Sequence, residues 1–304
     1  MKKYMKNGLL ALFIGLVFLS GCESKKDTIH IATKPMSEQF ILGEMLALLI
    51  EENSDLHVKI TKGVGGGTSN IHPAMIKGDF DLYPEYTGTG WLVILKKDSL
   101  LPPDQLFSEL QKEYSREYGL KWVAPYGFNN AYSLAVSNEM AKKYNLKTFS
   151  DLALYPDLFT FGAEYDFYEI NDGYADLCAY YNLKFKKNLD MDIGLKYEAM
   201  RSGKIDVINI FTTDGQLSHA NLTTLKDDKH FFPSYYCATI VREETLKEHP
   251  ELERILEKMN GILTDQEMAD MNYKVDVEHR TEREVAVEFL KKKGLLNPQL
   301  SYGK

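Results

Sequence analysis

Apolar and polar residues alternate over residues 28–32, which predicts a first β-strand. Residues 36–52 place Ile41, Leu42, Met45, Leu46 and Leu49 at helical spacing, which predicts an amphipathic helix. Residues 56–61 read as a second strand. A glycine-rich run, Gly63 to Gly67, leads into Thr68, Ser69 and Asn70, residue types that cap helices. Residues 71–77 then read as a short helix and 80–83 as a third strand. Strand and helix thus alternate through the first hundred residues, the pattern of a mostly parallel α/β sheet. Further along, 104–118 is amphipathic and helical, 131–136 a strand, 142–154 helix and turn, and 158–162 a strand. Residues 173–181 and 194–202 read as helices and 205–211 as a strand. Residues 234–241 read as a strand returning from the middle of the chain, and 250–293 as mostly helical, broken near Gly261 and Val275. With no repeat and no long polar linker, two α/β lobes joined by short strands are expected.

The beginning of the chain follows a different pattern. Lys2, Lys3 and Lys6 precede an apolar run from Leu9 to Leu19, too short to span a bilayer. A charged start followed by such a run is the layout of an export signal. It ends in Leu19-Ser20-Gly21-Cys22, which resembles the lipobox of bacterial lipoproteins. The expectation is a signal peptide over 1–21, a lipidated Cys22 and a polar tether over 22–27. The mature chain would then sit lipid-anchored on the extracytoplasmic face of the cell membrane. No other stretch reaches 18 apolar residues, so a channel or permease role is not expected.

Composition narrows the function classes. The 304 residues carry 36 Lys+Arg against 44 Asp+Glu, an acidic balance that argues against nucleic-acid binding. With 44% hydrophobic residues the chain can bury a sizeable core. The 19 tyrosines exceed the needs of packing alone only mildly, but tyrosine is also the residue from which cation sites are built. Cys178 and Cys237 are 59 positions apart without a CxxC. Disulfide, free and buried thiols all fit, and their apolar surroundings favour buried thiols. The seven histidines are scattered, so no metal site is expected. The glycine-rich loop has neither a Gly-Lys-Ser/Thr nor a GxGxxG, so it reads as a tight turn rather than a nucleotide site. Glu85 with Asp214, or Ser69 with His72, are the pairs from which a hydrolase would be built. No GxSxG elbow or third triad member accompanies them, and no enzyme is expected. A surface adhesin is the remaining non-enzymatic alternative, and it would not need a pocket assembled from several segments.

Three strings then carry a resemblance: Thr33-Lys-Pro-Met-Ser-Glu-Gln39, Gly65-Gly-Gly-Thr-Ser-Asn70 and Asp81-Leu-Tyr-Pro-Glu-Tyr-Thr-Gly-Thr89. With Asp206-Val207, Thr212-Thr-Asp-Gly215, Asp227-Asp-Lys229 and Phe232-Pro233, they resemble the substrate-binding proteins of quaternary-ammonium ABC importers. These importers take up glycine betaine, choline or carnitine. The resemblance implies a two-lobed α/β fold of the type II periplasmic-binding-protein class, with a ligand cleft between the lobes. Lobe one would comprise 28–130 plus 237–304, and lobe two 131–236. It implies no cofactor and no catalysis. A permease and its ATPase would be partners of a monomer.

A trimethylammonium group has no N–H to donate, and proteins hold it by surrounding it with aromatic faces. The resemblance assigns such a box to Tyr86, Tyr132, Phe211 and Tyr235, with Tyr236 one position away as the alternative. Phe211 stands where the family usually has tyrosine. Lys34 and Thr89 match residues that hold a ligand carboxylate, while Ile170 takes the place of a carboxylate-binding arginine. Loss of that bidentate partner would tilt preference away from glycine betaine, toward choline or a larger betaine. Asn129 and Asn130, the run 162–167 and the run 209–214 resemble especially the branch that binds ergothioneine, a trimethylated histidine thione.

Overall fold

The computed structural model of the chain describes residues 27–97, 101–169, 173–191, 193–299 and 301. Cys22, the signal segment and Ile170 lie outside the described residues.

Ten strands occur among the described residues: β1 (Thr28–Ala32), β2 (His57–Thr61), β3 (Leu82–Tyr86), β4 (Leu120–Val123), β5 (Tyr132–Ser137), β6 (Thr160–Ala163), β7 (Lys187–Asp190), β8 (Val207–Phe211), β9 (Leu222–Leu225) and β10 (Cys237–Arg242). They form two five-stranded sheets, ordered β2-β1-β3-β10-β4 and β7-β6-β8-β5-β9. The expected parallel pairing holds for β1 with β2 and β3. However, β10 returns from the second lobe and runs antiparallel to both β3 and β4, so the sheet is mixed. The second sheet repeats the plan, with β6 parallel to β7 and β8 while β5 runs antiparallel to β8 and β9.

Both sheets are covered on two faces. Along β10, Cys237 and Val241 face one core, and Ala238 and Ile240 the other. Along β5, Leu134 and Val136 face one core and Ala135 the other. This explains why the central strands are mostly apolar on both faces rather than alternating. The helix Ser37–Asn53 was expected to bury one stripe, but every residue from Ile41 to Ile50 is buried. It lies between the first sheet and the helices Glu251–Leu256, Asp265–Asp276 and Glu282–Lys292. Two of those helices start with capping boxes, Thr264 with Glu267 and Thr281 with Glu284, which satisfies their first amides.

The helix expected from Ile71 begins earlier, at Thr68, with Gly67 at φ 53° as its N-cap and no capping side chain. The Thr68 hydroxyl is used elsewhere, donating to Glu85 Oε2 at 2.6 Å. Both cysteines are free thiols. Cys237 is buried as expected, whereas Cys178 is only half-buried, and burial pushes its thiol up to about 11.

The chain crosses between the sheets twice, after β4 and before β10. The two crossings run side by side, bridged at Asn129 and Tyr236. The Asn130 amide donates to the Tyr235 carbonyl at 3.2 Å, and the Tyr235 amide to Asn129 Oδ1 at 2.6 Å. Gly215 brings the second lobe against the helix Asp265–Asp276 so closely that a Cβ would stand 2.7 Å from the Tyr273 nitrogen.

Candidate functional site

Where the crossings meet the sheet ends, Tyr86, Asn130, Tyr132, Phe211 and Tyr235 line a cavity of about 230 Å³. Tyr86 is the last residue of β3 and pairs with Cys237. Tyr132 opens β5 directly opposite Phe211, which ends β8. The two rings lie 4.4 Å apart at 30°. Phe211 is 37% exposed, which suits a cavity wall and not a core position. Phe167 and Phe232 support the Tyr132 ring from behind, at 5.2 and 5.7 Å. The Asp227-Asp-Lys229 motif has a structural use here: Asp227 accepts from the amides of Phe231 and Phe232, at 3.0 and 2.9 Å, and so shapes the turn that delivers Phe232.

Of the pair Tyr235 and Tyr236, only Tyr235 lines the cavity; the Tyr236 carbonyl is used by the Thr87 amide, at 2.9 Å. The Tyr235 ring lies over Gly88, where a Cβ would come within 2.7 Å of it. The glycine of the Tyr86-Thr-Gly-Thr89 string therefore makes room for an aromatic wall. Thr89 is half-buried and does not line the cavity. Lys34 does not line it either: its ammonium is paired with the fully buried Glu85 and lies 4.7 Å from the centre of the Tyr86 ring. Glu85 also accepts from Thr68 and from the Tyr86 amide, at 2.6 and 2.7 Å. In this geometry the Lys34 ammonium, expected to meet a ligand carboxylate, is held by a buried carboxylate of the protein.

Two residues without an assigned role in the sequence reading sit at the centre of the site. Glu38, 4% exposed, accepts from the Tyr86 hydroxyl and from Asn130 Nδ2. Its second oxygen accepts from Asn272 Nδ2 at 3.3 Å, and that same amide donates to the Thr213 carbonyl of the second lobe at 2.8 Å. Burial holds the Glu38 carboxyl above the usual range, against the opposing effect of these donors. Both Glu38 and Asn130 lie in quoted strings; what a strip of sequence could not display is that they converge on one carboxylate.

The runs 162–167 and 209–214 also meet. Glu164 is paired with the buried Lys196 and accepts from Asn209 Nδ2 at 2.6 Å, two residues before Phe211. The hydrolase readings find no support in the geometry. His72 is buried edge-on against Tyr114 and Tyr118, with neither ring nitrogen hydrogen-bonded. Asp214 caps Gln216 and accepts from Tyr197. The described residues contain no metal-binding cluster and no helix long and apolar enough to cross a membrane.

A cavity walled by four aromatic faces drawn from both sheets and the second crossing can enclose an apolar cation. A larger open groove of about 830 Å³ lies between Gln111 and Glu253, but no aromatic residue lines it.

Comparison with known proteins agrees with this architecture. Residues 27–292 match the family described as the substrate-binding domain of ABC-type glycine betaine transport systems. The chain is 46% identical over 287 residues to the ergothioneine transport permease/ergothioneine binding protein of Helicobacter pylori, covering 94% of this chain and 51% of that protein. It thus spans about half the length of that relative. It is 36% identical to the carnitine transport binding protein of Listeria monocytogenes, covering 95% of this chain and 97% of the relative. A solved glycine betaine/carnitine/choline ABC transporter structure superposes with a TM-score of 0.84 at 32% identity, covering 88% of this chain and all of that one. The chain belongs to the substrate-binding protein family of ABC-type glycine betaine transport systems.

Proposed function

We propose that this protein captures a trimethylammonium compound in the Tyr86–Tyr132–Phe211–Tyr235 box and delivers it to a permease driven by an ATPase. The observation that carries this is the meeting of those four rings, from both lobes, on one cavity. A desolvated ring face contributes roughly 0.5–2 kcal/mol toward such a cation. Four of them supply much of the roughly 8 kcal/mol that micromolar binding requires. Phe211 keeps the ring face and gives up only a hydroxyl. Lobe one is assigned to 28–130 plus 237–304 and lobe two to 131–236. Binding closes one on the other, and the closed form docks on the permease. The protein works as a monomer on the extracytoplasmic face, anchored through lipidated Cys22.

Within the class, the ligand is a betaine larger than glycine betaine. Ergothioneine stands first, supported by the 46% identity to an ergothioneine binding protein and by the joined runs 162–167 and 209–214; carnitine stands second. Lys34 is occupied by Glu85, which leaves the ligand carboxylate to groups other than those first expected.

The test is calorimetric titration of the full chain, purified in detergent, with ergothioneine, carnitine, choline and glycine betaine. One of the first two is expected to bind at micromolar affinity or better. Silence with all four would refute the reading. Gly88→Ala is expected to push the Tyr235 ring from its place and to weaken the tightest of these ligands by roughly tenfold, read in the same titration. The overpacking itself costs on the order of 1–3 kcal/mol of stability.

A further inference from the structure

We propose that Glu38 is a charge-selecting and positioning residue: without touching the ligand, it tunes the box for a cation and couples its filling to the joining of the lobes. This rests on the reading that the box holds a trimethylammonium compound. The argument is geometric. One carboxylate, 4% exposed, gathers two cavity-lining residues: Tyr86 through its hydroxyl and Asn130 through its amide, the latter at 3.1 Å. A phenol that donates to an anion has a more electron-rich ring, so the Tyr86 face attracts a cation more strongly when Glu38 is ionised. The charge itself also lies one ring away from the cavity, in surroundings that screen it weakly. On its other side, Glu38 shares the Asn272 amide with the Thr213 carbonyl. The Asn272 amide, together with a side-chain hydrogen bond from Thr213 itself, therefore joins the carboxylate behind the box to the second lobe.

The neighbouring groups do not mask this charge. The Lys34 ammonium is matched by Glu85. Burial pushes the Tyr86 phenol and the Cys237 thiol up, so both stay neutral near pH 7. The helix Asp265–Asp276 presents Asn272 to Glu38, while Asp276 accepts from Ser37 and Asp265 from the Asn129 amide. Behind Glu85, burial holds the His72 imidazole below its usual range. Glu38 itself is held above the usual carboxylate range by burial. A cation binds the ionised form better, so its arrival drives a proton off Glu38. Affinity then rises with pH through the free protein's Glu38 value and levels off above it.

The measurement is the affinity of the wild-type full chain for ergothioneine, carnitine, choline and glycine betaine from about pH 5 to about pH 8, a range in which these ligands hold their charge. Glu38→Gln is titrated beside it. That variant has a natural fit, because Asn130 Oδ1 and Asn272 Oδ1 are buried without partners and can accept from the new amide. The expected result is a rise of about tenfold with pH in the wild type, with proton release seen as buffer-dependent heat, and a flat profile at the weaker level in Glu38→Gln. Choline and its uncharged carbon analogue 3,3-dimethylbutan-1-ol give a second readout: the substitution weakens the first and leaves the second unchanged. A purely structural role would weaken both alike. A ligand that binds with a flat wild-type profile, or a slope that survives in Glu38→Gln, overturns this inference and leaves the proposed function standing. Silence of the wild type with every ligand overturns both.

Discussion

Tyr86→Ala is expected to lower affinity for the trimethylammonium ligand by at least about a hundredfold, with the fold retained. Three losses add. One ring face is removed, worth up to roughly 2 kcal/mol when desolvated. The ligand methyls lose their contacts on that side, and the cavity opens to water. Together these reach on the order of 3 kcal/mol, or about two factors of ten. Tyr86 ends β3 rather than sitting mid-sheet, and its pairing with Cys237 is a main-chain matter, so the sheet survives. Tyr86→Phe separates the parts. It keeps the face but leaves Glu38 without its hydroxyl donor, and a loss of only about tenfold is expected. Calorimetry on the three proteins orders them; equal affinity for wild type and Tyr86→Ala would remove Tyr86 from the site.

Lys34→Ala is expected to be the most damaging single change to stability. Lys34 is 8% exposed and Glu85 is fully buried, so removing the ammonium strands a carboxylate away from water. Breaking a buried pair from one side costs about 3–5 kcal/mol. For a chain of this size the melting temperature should fall by on the order of 10 °C. Thr68 and the Tyr86 amide still donate to Glu85, but neither carries a charge. Combining Lys34→Met with Glu85→Gln removes both charges and should recover more than half of the loss. Thermal melts of the single and double variants check this. A single variant as stable as the wild type would show that the two neutral donors suffice.

How far the sequence could be read depended on where the information lay. Among the residues that line the cavity, Tyr86 stands in the most distinctive string, whereas Tyr132 and Tyr235 lie outside the quoted strings and were expected only position by position from the resemblance. The first three strands were legible because apolar residues mark them. The weakly marked strands were not: β7 is Lys-Asn-Leu-Asp at a sheet edge, and β9 holds two threonines and is only partly buried. Short polar edge strands give no periodic signal. The pairing of Lys34 was not legible for a different reason. Its partner Glu85 is 51 residues away, and only the neighbouring placement of β1 and β3 brings them together. Glu38, Asn130 and Asn272 illustrate the same limit, since 234 positions separate the ends of that network. The sides of a helix are likewise assigned by what packs on them, which is why Ser37–Asn53 is buried all round although one stripe was foreseen.

The placement of β10 has a consequence for how the protein is made. It is the strand between β3 and β4, yet it is the last strand among the described residues. Until residue 242 has been synthesised, β4 has no neighbour and the first sheet stays open along β3. The second sheet, by contrast, draws all five strands from one unbroken stretch, Tyr132 to Leu225. The later-encoded lobe is therefore complete first, and the ribosome delivers it before the earlier one can close. Closing the earlier lobe joins β3 and β10 residues more than 150 positions apart, a pairing that is slow by its topology and leaves β3, with Tyr86 at its end, waiting longest for its second neighbour.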